Sequence, residues 1–309
     1  MELIRGLHNL RLRHQGCVVT IGAFDGVHQG HQAVLDHLLA KSRELELPSV
    51  VVVFEPLPRE YFAPDKAPAR LMSFREKFRE FEKIGVDRLL RIRFDESIRT
   101  MGAQEFIKKV FVDGLGVDYI VVGDDLRFGR GREGDFKMLQ DMSEHYGYCA
   151  MHTDTLGLEG DRVSSTRIRN ALEDSEFEMA EELLGRPYSI SGKVVYGQQL
   201  GRTLGVPTAN LRLYSYRIAM SGVYAVEIKG LEYKTHYGVA NVGTRPTLGH
   251  SIKAILEVYL LDFDQDIYGK TIEVIFRKKI RDEKKFDSLN ELKKNIHNDI
   301  ETGRQYFSL

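Results

Sequence analysis

One stretch constrains the fold of this chain more than any other: GAFDGVHQGH, at residues 22–31. It follows a short apolar run at residues 17–21, which predicts a buried strand, and it leads into residues 31–46, whose apolar positions have helical spacing. Its glycines allow a tight turn and the close approach of a ligand. Because the start of a helix offers unpaired N–H groups and a positive dipole end, the stretch predicts a phosphate-binding strand-to-helix turn in an α/β unit.

Two histidines, His28 and His31, flank this predicted anion site. A His-x-x-His pair alone is also compatible with half of a metal site or with two surface histidines, although no nearby Cys/His cluster supplies further ligands. The ten residues resemble the GxFDGVHxGH signature of HxGH nucleotidyltransferases, in the form found in prokaryotic FAD synthetases. The resemblance implies that Gly22, Phe24, Asp25 and both histidines bind ATP, and that the histidines stabilise charge on the α-phosphoryl group during its transfer.

Length and composition place limits on the protein class. The 309 residues predict two domains, and 42% hydrophobic with 29% charged residues is typical of a soluble globular protein. A net charge of −1 does not indicate a general nucleic-acid surface. The two cysteines, Cys17 and Cys149, predict buried thiols in a reducing compartment. With no signal peptide at residues 1–15 and no apolar run that could span a bilayer, we expect a cytoplasmic protein without membrane or nucleic-acid partners; the sequence leaves the oligomeric state open.

Residues 1–184 alternate between strand-like runs and helical periodicity. Strands are predicted at residues 17–21, 50–54, 88–94, 118–123 and 148–153, and helices at residues 31–46, 73–84, 103–112 and 136–145. This alternation predicts a Rossmann-like α/β domain with a parallel sheet between helices. Ligands of such sheets bind beyond the carboxyl ends of the strands, so the loops that follow strands are the candidate binding segments.

Residues 185–309 have a different pattern. Strands are predicted at residues 188–195, 222–229, 235–242, 254–260 and 271–276, with glycine and proline between them and no intervening helix. This pattern predicts a closed antiparallel β-barrel. A terminal helix is predicted at residues 289–306, capped by Ser288. We therefore divide the chain after residue 184, near the Gly-Arg-Pro sequence at residues 185–187.

Two loops of the first half are candidates for flavin binding. Residues 54–60, FEPLPRE, resemble the FxPxP segment of the FAD synthetases, with Leu57 where His is common, and the two prolines predict an extended loop. A planar isoalloxazine ring needs flat apolar partners, for which Phe62, Phe106 and Phe128 are candidates, although each could equally be a core residue.

Residues 123–134, GDDLRFGRGREG, predict a flexible, cationic loop that could simply be solvated. The loop resembles the GxDFRFGxxxxG segment of the same family, with Leu126 in place of the usual Phe. The resemblance implies that Asp125 and Arg127 join Phe128 in binding the flavin substrate.

Residues 164–169, SSTRIR, predict a capped helix start. Arginine in a first turn opposes the helix dipole, and a bound anion would remove that conflict. The segment matches the family pattern SSTxIR, which implies that Ser164, Ser165, Thr166 and Arg169 bind the phosphates of ATP.

In the second half, GRTLGVPTAN at residues 201–210 places Thr208 and Asn210 two residues apart. On an extended segment these side chains point the same way, and their oxygens suit Mg²⁺, although Thr-x-Asn alone is more often a polar turn. The stretch resembles the GxxLGxPTAN signature of riboflavin kinases. The resemblance implies an ATP site, with Mg²⁺ on Thr208 and Asn210, formed by these two residues together with Gly201, Gly205 and Pro207.

Residues 238–247, GVANVGTRPT, resemble a second riboflavin kinase segment, which implies that Asn241 and Gly243 contact the flavin, as does Arg281 near the end of the chain. Glu257 stands in an otherwise apolar strand, where a lone carboxylate is often a structural ion-pair partner. In riboflavin kinases the matching Glu is the base that accepts the proton of the riboflavin 5′-hydroxyl.

Together these motifs resemble the bifunctional prokaryotic riboflavin kinase/FAD synthetase family over residues 16–305. The resemblance implies that the barrel phosphorylates riboflavin to FMN with Mg²⁺ and ATP. The α/β domain would then adenylylate FMN with ATP to give FAD and pyrophosphate. Two alternatives remain: an adenylyltransferase whose barrel only senses flavin, and a nucleic-acid-binding barrel. The intact kinase motifs disfavour the first, and the near-neutral charge disfavours the second.

Overall fold

The computed structural model describes residues 1–197, 205–213, 217–232, 234–246 and 252–309. The chain forms two compact units: the first contains Met1–Ala67 and Phe74–Ser164, and the second contains Pro68–Ser73 and Ser165–Leu309. Residues 165–184 therefore group with the barrel, whereas the division that we expect from the sequence assigns them to the first domain.

A six-stranded parallel sheet forms the centre of the first unit. Its strands are β1 (Glu2–Arg5), β2 (Cys17–Ile21), β3 (Ser49–Phe54), β4 (Arg88–Ile92), β5 (Val117–Gly123) and β6 (Cys149–Thr153), in the order β1–β4–β3–β2–β5–β6. The central strands β2 and β3 are buried almost throughout, as expected for strands with helices on both faces. The predicted parallel sheet is confirmed, and β1 is an edge strand that the sequence analysis misses.

The order of the strands fixes where this sheet can bind a ligand. From β2 the chain moves to β3 on one side, and β5 later joins β2 on its other side. The crevice at such a reversal, beyond the carboxyl ends of the strands, is the binding position in open α/β sheets. The loops that start there follow residues 21 and 123, so they contain the two glycine-rich motifs of the first half.

Helices connect these strands. They are α1 (Gln29–Leu45), α2 (Pro58–Phe62), α3 (Phe74–Ile84), α4 (Glu96–Thr100), α5 (Ala103–Phe106), which continues as a π-helical segment over Ile107–Val112, and α6 (Phe136–Tyr146). Short 3₁₀ turns lie at Leu7–Asn9, Leu12–His14 and Arg130–Arg132, and a small hairpin is formed by β7 (Gly157–Leu158) and β8 (Asp161–Arg162).

Two local predictions are wrong. The extended loop predicted over residues 54–60 becomes helix α2 from Pro58, because proline fits the first helical position and the Glu60 side chain accepts a hydrogen bond of 3.0 Å from the Leu57 N–H. Cys17 is buried as predicted, and burial raises the pKa of its thiol to about 12. Cys149, however, is exposed, because it lies on β6 at the sheet edge.

The second unit contains a closed antiparallel barrel. Its strands are β9 (Ser189–Val195), β10 (Ala209–Arg212), β11 (Gly222–Lys229), β12 (His236–Pro246), β13 (Ile252–Leu260) and β14 (Thr271–Arg281), in the order β10–β13–β12–β11–β14–β9. The predicted barrel is confirmed. Strand β10 is missed by the sequence analysis because it has only four residues.

In its described residues the barrel unit contains the helices α7 (Ser165–Glu173), α8 (Phe177–Leu184) and α9 (Leu289–Phe307). Helix α8 packs on the barrel through Phe177, whose ring centroid lies 5.8 Å from that of Tyr224 and 6.4 Å from that of Phe276. Helix α9 begins as predicted, because the Ser288 hydroxyl accepts a hydrogen bond of 3.2 Å from the Glu291 N–H. No helix in the described ranges is both long enough and apolar enough to cross a membrane.

Candidate functional site

In the first unit, His28 and His31 lie where β2 passes into α1. His28 is the N-cap of α1, and its Nδ1 accepts a hydrogen bond of 3.3 Å from the His31 N–H. An accepting Nδ1 places the proton of the neutral His28 ring on Nε2. The two imidazole rings are stacked, with centroids 3.6 Å apart and planes 17° apart. The turn therefore holds two imidazoles together at the positive end of a 17-residue helix.

The backbone of this turn is unusually constrained. Phe24 and Val27 have φ values of 47° and 42°, a left-handed region that bulky residues rarely adopt. A Cβ at Gly22 would lie 3.0 Å from the Phe24 ring, so any larger residue at the start of the turn would require that ring to shift. Asp25, another predicted ATP-binding residue, is buried within the same turn. Strain of this kind persists only where surrounding contacts hold it.

The electrostatics of the turn favour a neutral His31. Burial lowers its pKa well below the usual value, and electrostatic interactions with His28, Lys77 and Arg162 lower it further. The buried Nδ1 of His31 has no hydrogen-bond partner among the described residues. Protonation of the ring would therefore leave a buried N–H group unpaired, which is unfavourable. A neutral ring with its proton on Nε2 can donate to a phosphate oxygen without carrying a charge.

Sequence reasoning missed two cations near these histidines. Lys77 on α3 is 1% exposed, and its Nζ donates a hydrogen bond of 2.5 Å to the Ala23 carbonyl. Arg162 forms an ion pair of 2.6 Å with Asp125 of the predicted flavin loop. Lys77 could have been recognised from its spacing, because it lies three residues after Phe74 and four before the buried Phe81, which puts it on the apolar side of the helix. The sequence holds no comparable signal for Arg162.

The loop at residues 124–134 is anchored, contrary to the flexible loop that we expect from its glycines. Phe128 and Gly134 exchange two backbone hydrogen bonds of 3.0 and 2.9 Å. A Cβ at Gly129 would lie 2.7 Å from Ala103, so this glycine permits close packing. Glu133 accepts a hydrogen bond of 2.8 Å from the Ala103 N–H. Arg127 remains exposed within the loop and donates to the carbonyl of residue 126.

The three candidate flavin-stacking rings have different environments. Phe106 is 1% exposed and Phe128 is 6% exposed, and both belong to the hydrophobic core, with ring centroids 5.9 Å apart. Phe62 is 63% exposed and packs edge-on against Tyr61 and Phe94. Phe62 is therefore the one of the three whose ring is available on the surface.

The motif at residues 164–169 meets the boundary between the two units, which falls between Ser164 and Ser165. Helix α7 starts at Ser165, close to where it is predicted, and its first turn contains no acidic residue. Thr166 is exposed, and the Arg169 Nε donates a hydrogen bond of 2.5 Å to the Ala69 carbonyl within the second unit.

In the barrel, strand register brings three candidate kinase residues into one row. Asn210 on β10 pairs with Glu257 on β13, and Glu257 pairs with Asn241 on β12. Directly opposed side chains in antiparallel strands project from the same face, with Cβ atoms about 4.5–5.5 Å apart. All three are half-buried while their chain neighbours are buried in the barrel, so the row lies on the outer face of the wall.

The remaining kinase candidates lie around this row. Thr208 is half-buried just before β10, and its carbonyl accepts a long hydrogen bond of 3.5 Å from the Asn210 amide. Pro207 is exposed, and Gly205 has a φ of 80°. Gly201 lies outside the described residues. No metal-binding group of three or more His, Cys, Asp or Glu side chains occurs in the described part of the chain.

Gly243 and Arg281 each contact another side chain. The Glu283 carboxylate packs directly against Gly243, where a Cβ would clash with it. The Arg281 guanidinium forms two hydrogen bonds of 2.8 Å to the Asp299 carboxylate on α9. In this structure the Arg281 ion pair therefore links strand β14 to the terminal helix α9.

Comparison with known families covers both halves of the chain. Residues 10–167 match the family model described as FAD synthetase, and residues 184–307 match the model described as riboflavin kinase. Two curated bifunctional riboflavin kinase/FMN adenylyltransferases are similar over almost their whole length. The protein from Escherichia coli strain K12 is 51% identical over 100% of this chain and 99% of its own. The protein from Pseudomonas fluorescens is 48% identical over 98% and 97%, respectively.

A solved structure has a similar fold. The crystal structure of a protein from Streptococcus pneumoniae, described as a macrolide-efflux protein, superposes with a TM-score of 0.78 and 30% identity. The match covers 98% of this chain and 99% of that one, so the likeness extends over both units.

Proposed function

Because the chain belongs to the family of bifunctional riboflavin kinase/FMN adenylyltransferases, we propose that it catalyses two consecutive transfers from ATP. The first phosphorylates riboflavin to FMN and releases ADP; the second transfers AMP to FMN, giving FAD and pyrophosphate. The observation that carries this proposal is the 51% identity to a curated bifunctional enzyme over the whole chain, with both domain models matched.

Adenylyl transfer is assigned to the first unit, at the start of α1. The Nε2–H groups of His28 and His31 donate to the phosphates of ATP and stabilise charge that builds up on the α-phosphoryl group. The phosphate of FMN is already an anionic nucleophile, so positioned donors suffice and no general base is required. Phe62 is the candidate ring for stacking on the isoalloxazine.

Riboflavin phosphorylation is assigned to the row on the barrel wall. Glu257 accepts the proton of the 5′-hydroxyl while Asn210 and Asn241, on either side of it, orient the substrates. The Thr208 hydroxyl and the Asn210 amide oxygen are hard ligands near a carboxylate, a donor set that fits Mg²⁺ bound with ATP. When bound, Mg²⁺ neutralises charge on the transferring phosphoryl group.

The proposal also covers the cellular compartment of the protein and the division of its two functions along the chain. Cys17 and Cys149 are both free thiols, which supports a reducing, cytoplasmic setting. The match of the riboflavin kinase model from residue 184 supports a division of function near that residue.

Reciprocal variants test the assignment of the two reactions to two sites. The purified full-length protein is incubated with riboflavin or FMN, ATP and Mg²⁺, and FMN and FAD are resolved by chromatography. The double variant His28→Ala/His31→Ala should lose FAD formation and keep riboflavin phosphorylation, because it alters only the first unit. Loss of both activities in a variant with a wild-type circular dichroism spectrum would contradict the two-site assignment.

The matched variant is Glu257→Gln, which keeps the shape of the side chain but cannot accept the proton. General-base contributions are typically ~10²–10⁴-fold, so the kinase kcat should fall by about that factor while FAD formation from supplied FMN is unchanged. The KM values should change little, because a lost transition-state interaction appears in kcat. A structural role for Glu257 would instead lower the melting temperature and leave kcat within a few-fold of wild type.

A further inference from the structure

Lys77 occupies a position that lysine rarely takes. It is 1% exposed on α3, on the side of the helix that also carries the buried Phe81. Burying an ammonium group costs free energy unless hydrogen bonds and charges compensate for it. Such a position in an otherwise ordinary amphipathic helix calls for a role beyond packing.

The contacts of α3 point to the nucleotide-binding turn. The Lys77 Nζ donates to the Ala23 carbonyl at 2.5 Å, immediately before Phe24. The Phe24 ring packs edge-on against Phe81, with centroids 5.4 Å apart, and also lies 5.0 Å from the His31 ring. Helix α3 thus supports the turn through a hydrogen bond from Lys77 to Ala23 and an aromatic contact between Phe81 and Phe24.

These contacts act where the backbone is strained. Phe24 and Val27 both have positive φ, a backbone conformation that is unfavourable for bulky residues. A short hydrogen bond from a charged donor to the adjoining carbonyl is among the stronger contacts that can hold such a turn. Without it, the carbonyl of Ala23 and the start of α1 would be less firmly placed.

The positive charge of Lys77 also affects the pKa of His31. The titratable groups that act on His31 from the surrounding elements are His28 in the turn, Lys77 on α3 and Arg162 on β8, and the interaction with each of them lowers its pKa. Charges interact more strongly in a desolvated site than in water, so a buried ammonium here favours both a neutral His31 and bound anionic phosphate.

We propose that Lys77 is a positioning residue for adenylyl transfer. Its hydrogen bond to the Ala23 carbonyl stabilises the turn and thereby keeps His28 and His31 in position to bind the triphosphate. This inference rests on the proposed function and adds to it a residue outside the recognised motifs. Lys77 need not touch ATP to act in this way.

Two substitutions and one matched control test it in the full-length protein. Lys77→Met removes charge and donor while keeping a long side chain, and Lys77→Arg restores both. Lys83→Met makes the same chemical change on the same helix, where the lysine is exposed and pairs with Glu80 at 2.7 Å. For each variant, kcat and KM for FAD formation from FMN, kinase activity and melting temperature are measured from pH 5.5 to 8.5.

Lys77→Met should lower kcat for FAD formation about 10²-fold, the size of effect that a small misplacement of reacting groups produces. Riboflavin phosphorylation should be unchanged. Loss of a neighbouring positive charge raises the pKa of His31, so the acid limb of the FAD-formation profile should move to higher pH. Lys77→Arg should recover most of the turnover and the wild-type acid limb, and Lys83→Met should behave as wild type.

A folded Lys77→Met protein with wild-type FAD formation and an unmoved acid limb would overturn the proposal. If Lys77→Met does not fold, Lys77→Arg decides: recovery of FAD formation supports the role, and a folded variant as inactive as His28→Ala/His31→Ala refutes it. Failure of the proposed function itself is distinguishable, because the wild-type protein would then form no FAD.

Discussion

The ion pair between Arg281 and Asp299 allows two roles of Arg281 to be separated. Arg281 is a candidate flavin-binding residue, yet its Nε and Nη2 each lie 2.8 Å from an oxygen of the Asp299 carboxylate. The Asp299 side chain is 8% exposed and that of Arg281 is 24% exposed. The geometry predicts that the pair fastens α9 to β14, and that Asp299→Ala is therefore destabilising.

The expected loss follows from the burial of the two groups. Removing one partner of a fully buried pair costs about 3–5 kcal/mol, because the other charge is left uncompensated. Here Arg281 is partly exposed, still donates to the Asp282 carbonyl at 2.9 Å and lies 5.5 Å from the Phe286 ring, so about 2–3 kcal/mol is expected. For a domain of about 150 residues, this corresponds to a fall of roughly 4–12 °C in melting temperature.

The assay combines calorimetry with riboflavin kinase kinetics on the full-length protein. Asp282→Ala is the control, because its carboxylate is 87% exposed and pairs with Lys279 on the surface; it should melt close to wild type. If Asp299→Ala melts within about 1 °C of wild type, the argument from burial is refuted. If Arg281→Ala raises the KM for riboflavin far more than Asp299→Ala does at equal stability, Arg281 binds flavin directly.

Two further predictions concern pH and domain boundaries. The pKa of His31 is lower in the folded protein than its usual 6.5, so below that pH the unfolded state binds more protons than the folded state. The free energy of unfolding should therefore be independent of this group above about pH 6.5 and should fall at lower pH, by at most about 1.4 kcal/mol per pH unit. Urea titrations of wild type and His31→Gln at several pH values check this. A fragment of residues 184–309 is expected to phosphorylate riboflavin. A fragment of residues 165–309 should have a higher melting temperature, because it keeps Phe177 packed on the barrel; equal melting temperatures would contradict the packing argument.

Much of the fold is predictable because its signals are local. The apolar runs that became β2 and β3 need no partner to be recognised, and the turn at residues 22–28 carries its glycines and histidines in consecutive positions. The strands that were missed in the parallel sheet and the barrel are short, since β1 and β10 have four residues each, and the eight-residue helix α8 was missed as well. A four-residue strand offers too few alternating positions for periodicity to stand out, and its formation depends on neighbours distant in sequence.

The candidate sites likewise combine features that the sequence predicts with features that only the structure shows. The motifs identify Asn210, Glu257 and Asn241 separately, but only the register of three strands shows that they form one row. Glycines in the loop at residues 124–134 predict flexibility, whereas Gly129 and Gly134 allow close packing against Ala103. Composition does not distinguish these two uses of glycine, because both depend on what lies opposite the missing side chain.

The grouping of α7 and α8 with the barrel changes what a truncation experiment means. A fragment of residues 1–184 would retain α8 without the strands that cover it, leaving the Phe177 ring without Tyr224 and Phe276, and Glu181 without Arg277, which lies 3.4 Å away. Exposing a buried Phe side chain to water costs about 1.5–3 kcal/mol. Low FAD formation by such a fragment would therefore follow from the lost packing of α8 and would not by itself argue against adenylyl transfer in the intact chain.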